Sequence, residues 1–334
     1  MYHRAATAVT GTMGWMKRRV LKIFFHDACF DGTASAALFS RFYQEAIGPV
    51  ELVLQPMQHS DKDPFEDAAV DGDDNACVDF RFCADPAMRW WFDHHKTAFQ
   101  PPALREIFDE SGTNLTWFFD PVAPSCAGLI VRVLRERWGW EPPAGLAEVV
   151  RWADVIDAGQ FASASEATAL VRPAQRIALW LGTGASSGDI DRYIRELAQG
   201  GELGPLTTTF ADGVGAAVAR RERVRQVIAR QGVWHGDVVA LDLSSEPEAI
   251  TPGFVGYELF PACRYTVALA RGHGVVKIAV GWNPWGPPRG HEIGDLCERF
   301  GGGGHAAVGG VTLTDGDLAR GRSIVDQIVA ALRA

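Results

Sequence analysis

Three short segments carry side chains able to bind cations or move protons: His26-Asp27-Ala28-Cys29-Phe30-Asp31-Gly32, the single Asp79, and Asp93-His94-His95. Carboxylates supply hard oxygen ligands and imidazoles supply nitrogen, a mixture that suits a divalent transition ion such as Mn²⁺. Such an ion activates water and offsets the charge of a phosphoryl group. Taken singly, each segment also has an ordinary reading, Asp79 as a helix cap and His94-His95 as surface histidines. Asp154 and Asp157 stand three residues apart on a helical pattern and share a face. Asp154 follows Val150 by one turn and is drawn toward the interior, where a metal would supply the partner a buried carboxylate needs. Asp157 reads equally as part of a solvated face. Near the end of the chain, Gly301-Gly302-Gly303-Gly304-His305 presents backbone N–H groups and an imidazole suited to a phosphate, with a structural turn as the rival. No G-x-G-x-x-G follows a strand, and no G-x-x-x-x-G-K-[ST] occurs.

The first three segments each follow or close a strand-like run: Val20 to Phe25, Ala76 to Phe80, and Arg89 to Phe92. In open α/β sheets, ligands bind outside the carboxyl ends of strands, so this placement favours a shared site. A helix is expected from Ser35 to Ile47, closed by Gly48-Pro49, and another from Pro124-Ser125 through Arg137. With a further strand at Val50 to Leu54, the alternation implies an α/β fold with a mostly parallel sheet and helices on both faces. Leu146 to Asp157 has helical apolar spacing. The chain then stays helical through an Arg-rich Phe210 to Gln231. Strand runs at Val238 to Leu243 and Tyr265 to Gly281, with a turn at Gly272-His273-Gly274, announce a smaller α+β domain ending in a helix from Asp317 to Leu332. The expected division is an extension over 1–19, a catalytic domain over 20–195, a helical connection over 196–232 and a second domain over 233–334. Within the extension, Met1 to Trp15 is expected to be disordered.

Composition narrows the partners. With 32 basic against 41 acidic residues, the net charge of −9 argues against a protein held on long duplex by counterion release. Apolar residues make up 47% of the chain but form no run long enough to span a bilayer, so no membrane partner is expected. Six cysteines without a C-x-x-C pair fit reduced thiols in a cytoplasmic protein. A homodimer is compatible with the sequence. The absence of H-E-x-x-H and of paired C-x-x-C counts against an unrelated zinc hydrolase.

Together these residues resemble the DHH phosphoesterase family. The resemblance runs from about residue 20 onward: Asp31-Gly32 followed by Ser35, the lone Asp79, Asp93-His94-His95, an acid on the following helix, and Gly301 to His305, which is similar to the signature of the DHH-associated C-terminal domain. It implies that His26, Asp31, Asp79, His94 and Asp154 hold one or two Mn²⁺ ions, with Mg²⁺ as an alternative and Asp79 as the bridge. It assigns His95 to the phosphoryl group, Asp93 to orienting its neighbours, and Gly302, Gly303, Gly304 and His305 to the substrate phosphate. Where many members carry a second Asp, this chain has Cys29, so one metal position is in question. The implied substrate is a short single-stranded nucleic acid or a small nucleotide, cleaved at a phosphodiester or phosphomonoester bond by metal-activated water. A cyclic dinucleotide phosphodiesterase and a catalytically weak nucleotide sensor are the alternatives. Trp282, Asn283 and Trp285 are read as a loop able to stack or hydrogen-bond a base.

Overall fold

The computed structural model describes residues 18–58, 63–66, 68–111, 116–246, 251–272 and 274–334. Met1 to Trp15 and His273 lie outside the described residues. The chain divides into two compact units, one comprising residues up to Asp27, Asp31–Ala147 and Asp191–Gly200, the other Ala28–Phe30, Glu148–Ile190 and Gly201–Ala334.

The first unit is built in the order β1 (Val20–His26), α1 (Phe30–Phe42), a π-helical turn (Tyr43–Ile47), β2 (Glu51–Met57), β3 (Asp74–Val78), β4 (Trp90–Asp93), α2 (Ala103–Glu110), β5 (Trp117–Phe119) and α3 (Cys126–Trp138). Its sheet has the order β2-β1-β3-β4-β5, and every neighbouring pair is parallel. Parallel strands covered on both faces are rich in buried apolar residues, and Leu21, Ile23, Phe24, Phe25 and Ala76 to Val78 are buried accordingly. Aromatic side chains fill one layer, where Phe82 packs edge-on against Trp91, Phe108 and Trp117. The connection from β1 leads to β2 on one side, while β3 lies on the other. The sheet therefore has a topological switch point between β1 and β3, where ligands bind in such folds.

Three local expectations are corrected. Helix α1 starts at Phe30, five residues before the expected Ser35, because nothing after Cys29 stops it. Asp31 and Gly32 consequently lie in its first turn and not in a loop. Gly32 is required there, since a Cβ would stand 2.2 Å from the His26 carbonyl oxygen. The elements α2 and β5 were not expected, both being short.

The second unit contains most of α4 (Ala144–Asp157), then α5 (Ala164–Thr168), α6 (Pro173–Thr183), the start of α7 (Ser187–Ala198), α8 (Leu203–Thr209) and α9 (Ala211–Gln231). It continues through β6 (Gly232–His235), β7 (Val238–Leu243), α10 (Gly253–Leu259), β8 (Tyr265–Gly272), β9 (Val275–Trp282), α11 (Ile293–Glu298), β10 (Gly303–Gly304), β11 (Val308–Leu313) and α12 (Leu318–Leu332). The sheet order is β10-β11-β9-β8-β7-β6, antiparallel except for the parallel pair β7 and β8. Alternate residues feed two cores. Val267 and Leu269 pack with Ile324 and Ile328 of α12, whereas Val239 and Ala268 pack with Ile228 of α9 and Val255 of α10. The glycine run is part of a hairpin: Gly303 pairs with Gly310 and Gly304 with Gly309.

Candidate metal centre

Parallel strands bring their carboxyl ends to one edge. His26 closes β1, Asp79 follows Val78 of β3, and Asp93 closes β4, so the three sequence segments meet without any long-range coincidence. Asp79 is fully buried and has φ +56°, a left-handed conformation that costs a non-glycine residue free energy and is concentrated at functional sites. Its amide donates to the Phe92 carbonyl at 2.9 Å, which fixes the turn against β4.

The two oxygens of Asp79 face different imidazoles. Oδ2 lies 3.5 Å from His26 Nδ1, and Oδ1 lies 3.6 Å from His94 Nε2 and 3.8 Å from His95 Nδ1. His94 Nε2 is also 3.6 Å from Asp31 Oδ2. These separations are long for hydrogen bonds. Those at His26 and His94 resemble the spacing of two ligands on one ion, since metal–ligand bonds of about 2.0–2.2 Å place neighbouring donors roughly 3–3.6 Å apart.

His94 has a defined tautomer. Its Nδ1 lies 2.9 Å from the Ala123 carbonyl oxygen, which can only accept, so the network assigns the proton to Nδ1. Nε2 is the nitrogen that faces Asp31 and Asp79. Two buried carboxylates converging on one imidazole nitrogen call for positive charge between them, and the donor set fits a divalent ion. The ligand atoms offered by Asp79, His94 and His95 lie within 4.8 Å of one another.

His95 is arranged differently. Its Nδ1 donates to Asp93 Oδ1 at 2.7 Å, and the same oxygen accepts from the amides of His94 at 2.8 Å and His95 at 3.2 Å. Asp93 is buried and folds back over its own turn, holding the His95 ring so that Nε2 is the nitrogen left to meet a substrate. The His95 side chain is 30% exposed against 9% for His94, consistent with one ring facing solvent and the other enclosed.

Asp31 has a second attachment that sequence reasoning did not find. Oδ2 accepts from the Cys126 amide at 2.6 Å and Oδ1 from the Ala127 amide at 2.9 Å. The start of α3 thus receives a carboxylate where its unpaired amides and dipole favour negative charge. Ser125 caps the same helix by accepting from the Gly128 amide. The sequence signal was Pro124-Ser125, a helix start whose amides need an acceptor. Burial, together with the charges of Asp79, Asp31 and Asp93, pushes the Cys126 thiol well above its ordinary range. Cys126 therefore lines the site as a neutral group and not as a thiolate.

The remaining candidates belong to the second unit. Asp154 is half-buried and Asp157 exposed on the part of α4 belonging to the second unit. Gly302 and Gly303 are half-buried in the second unit, and Gly304 and His305 are exposed there. The expectation for Asn283 is corrected. It is fully buried, its amide donates to the carbonyls of Pro261 and Cys263, and its oxygen accepts from the Trp285 amide. Trp282 and Trp285 likewise donate their indole N–H groups to the Pro287 and Phe161 carbonyls. In the first unit, a cavity of about 910 Å³ lined by Phe65, Arg81, Phe82 and Leu104 includes none of the metal-site residues.

No protein-family model matches the chain, and no curated protein matches it in sequence. Solved structures do. PggH, a pGpG-specific phosphodiesterase from Vibrio cholerae, is 20% identical with a TM-score of 0.65, covering 94% of this chain and 99% of its own. The fold is that of the DHH phosphoesterases. RecJ from Thermus thermophilus, solved in complex with Mn²⁺, is 16% identical with a TM-score of 0.57, covering 94% of this chain and 52% of its own. An exopolyphosphatase-related protein from Bacteroides fragilis is 13% identical with a TM-score of 0.50, covering 94% and 92%. The DHH fold places Asp93-His94-His95 at the end of β4, beside the switch point of its parallel sheet.

Proposed function

We propose that the chain is a metal-dependent phosphoesterase cleaving phosphodiester or phosphomonoester bonds in short oligonucleotides or small nucleotides. The observation that carries this reading is the commitment of His94 Nδ1 to the Ala123 carbonyl, which leaves Nε2 directed at two buried carboxylates. The opposed oxygens of Asp79 support its assignment as a bridge between two positions, one beside His26 and one beside Asp31 and His94. Asp154 is assigned as an additional ligand by the family resemblance, and Cys29 makes one position weaker. Imidazole ligands favour Mn²⁺ over Mg²⁺. When bound, the ions supply an acidified water and neutralise charge on the phosphoryl oxygens.

The chain's own groups position the reaction. Asp93 fixes the His95 ring through Nδ1, so that Nε2 can hydrogen-bond a phosphoryl oxygen without reorganising. Asp31, tied to two helix amides, holds its carboxylate in place before any ligand arrives. Gly302, Gly303, Gly304 and His305 are assigned to the substrate phosphate, in a division that gives catalysis to 20–195, the connection to 196–232 and substrate binding to 233–334. Gly303 suits this best, because nothing lies within 4 Å of the side chain it lacks.

The test is hydrolysis by the purified protein with Mn²⁺, Mg²⁺ or chelator. The substrates are pGpG, a short RNA, a short single-stranded DNA, cyclic di-AMP, adenosine bisphosphate and pyrophosphate. The name of PggH puts the linear dinucleotide pGpG first. Manganese-dependent cleavage of one nucleotide class is the expected result. Silence on all six would replace the enzyme by a nucleotide sensor.

A further inference from the structure

The second unit contains a cavity of about 430 Å³ between α5, α6, α9 and α10, made by residues that the metal-site reading leaves unused. Three arginines line it, Arg176, Arg221 and Arg225, against two glutamates, Glu222 and Glu258. The glutamates are already engaged. Both oxygens of Glu258 accept from Arg225, at 3.4 and 3.2 Å, and Glu222 accepts from Gln226 at 3.2 Å. Arg176 directs Nε to the Leu170 carbonyl at 2.7 Å.

Arg221 is the exception. It is half-buried and makes no hydrogen bond or ion pair among the described residues. Burial pushes its guanidinium below the ordinary range, Glu258 opposes that shift, and the charge of Arg225 adds to it. Arg221 and Arg225 are one helical turn apart, where like charges repel. A guanidinium has five N–H donors in a fixed fork that matches tetrahedral oxyanions, and those of Arg221 still reach solvent, where an anion can meet them. Leu170, which also lines the cavity, has φ +50°, a strained conformation for a leucine. Its carbonyl is the group that holds Arg176.

We propose that this cavity binds a phosphate group on the Arg221 guanidinium, with Arg176 and Arg225 flanking it. The chemistry admits two sources, free inorganic phosphate and the phosphate ester of a nucleotide. Paired donors of an arginine fork accept either.

The experiment is calorimetric titration of the full-length protein in chelator, carrying Asp79→Ala, so that neither metal binding nor turnover contributes. Inorganic phosphate and guanosine 5′-monophosphate are titrated separately. Binding of either that Arg221→Gln weakens supports the site, and the stronger of the two names the source. Arg221→Gln is expected to weaken binding at least tenfold, Arg221→Lys to weaken it less, and Arg223→Gln, on an exposed position of the same helix, to leave it unchanged. Should Arg221→Gln fail to fold, protection of Arg221 by phosphate against phenylglyoxal in the otherwise unaltered protein gives the same reading. No binding of either anion, binding undiminished in Arg221→Gln, or no protection would overturn the proposal. None of these outcomes depends on whether the metal centre hydrolyses anything.

Discussion

His94 and His95 are adjacent and chemically alike, yet their Nδ1 atoms donate to different acceptors, the Ala123 carbonyl and the Asp93 carboxylate. A carbonyl fixes a tautomer without adding charge, whereas a carboxylate also stabilises positive charge on the ring. Asp79→Ala or His94→Ala is expected to cut metal-dependent hydrolysis to less than about 1% of wild type with unchanged circular dichroism. Direct ligands outweigh the partners behind them, whose loss typically costs about 10–100-fold. Asp93→Asn belongs to that second range and should lower kcat with little change in Mn²⁺ affinity measured by calorimetry. Equal loss of both would remove the separation of roles. The triplet was legible because an apolar run stops at Phe92 and polar side chains follow at once. The Ala123 acceptor was not, because a backbone carbonyl far downstream leaves no trace in residue type.

At the scale of elements, the glycine run separates two kinds of glycine. A Cβ on Gly302 would lie 2.0 Å from the Gly310 carbonyl oxygen, and Gly304 has φ +151° with Gly309 Cα 2.4 Å from any added Cβ. Gly302→Ala should destabilise the hairpin by about 1–3 kcal/mol in urea unfolding. Gly303→Ala should fold normally, and a raised KM for the nucleotide would mark that backbone as part of the substrate site. The sequence displayed four equivalent glycines, and only strand pairing distinguishes them.

A second element-level prediction concerns Tyr43, whose hydroxyl donates to the buried Asp74 carboxylate at 2.6 Å. Burial, and then this bond, push the Tyr43 hydroxyl up to about 12. Because the folded value is raised, the contribution is complete below the unfolded value of about 10 and is lost as pH rises toward 12. Tyr43→Phe should cost about 1–3 kcal/mol at pH 7. Its stability should then fall less than that of wild type between pH 10 and 12, as followed by urea unfolding. The strand–helix alternation and the apolar runs predicted the first sheet well. Strand order was not available, since it depends on which crossovers close over which face.

For the whole molecule, the net charge of −9 sets a limit on how substrates are held. A site touching one or two phosphates should show KM rising with salt at a log–log slope of about 0.7 to 1.4, from roughly 0.7 per neutralised phosphate on a single strand, far shallower than that of a duplex-tracking protein. KM for a short oligonucleotide measured across a salt series checks this. Chelation should abolish turnover and Mn²⁺ restore it. No helix among the described residues is long and apolar enough to cross a membrane. The second sheet was legible as a change in texture after Val233, whereas the fold as a whole became apparent only from the three segments taken together.

The double attachment of Asp31 turns one carboxylate into a gauge. Its oxygens accept from the amides of Cys126 and Ala127 while Oδ2 also faces His94. A ligand that draws charge from Asp31 must lengthen or weaken those two bonds. Hydrogen exchange at two backbone sites, 126 and 127, would then report occupancy of the centre in the absence of substrate. The centre can in this way be titrated with metal, before any turnover is measured, by watching the first turn of a helix.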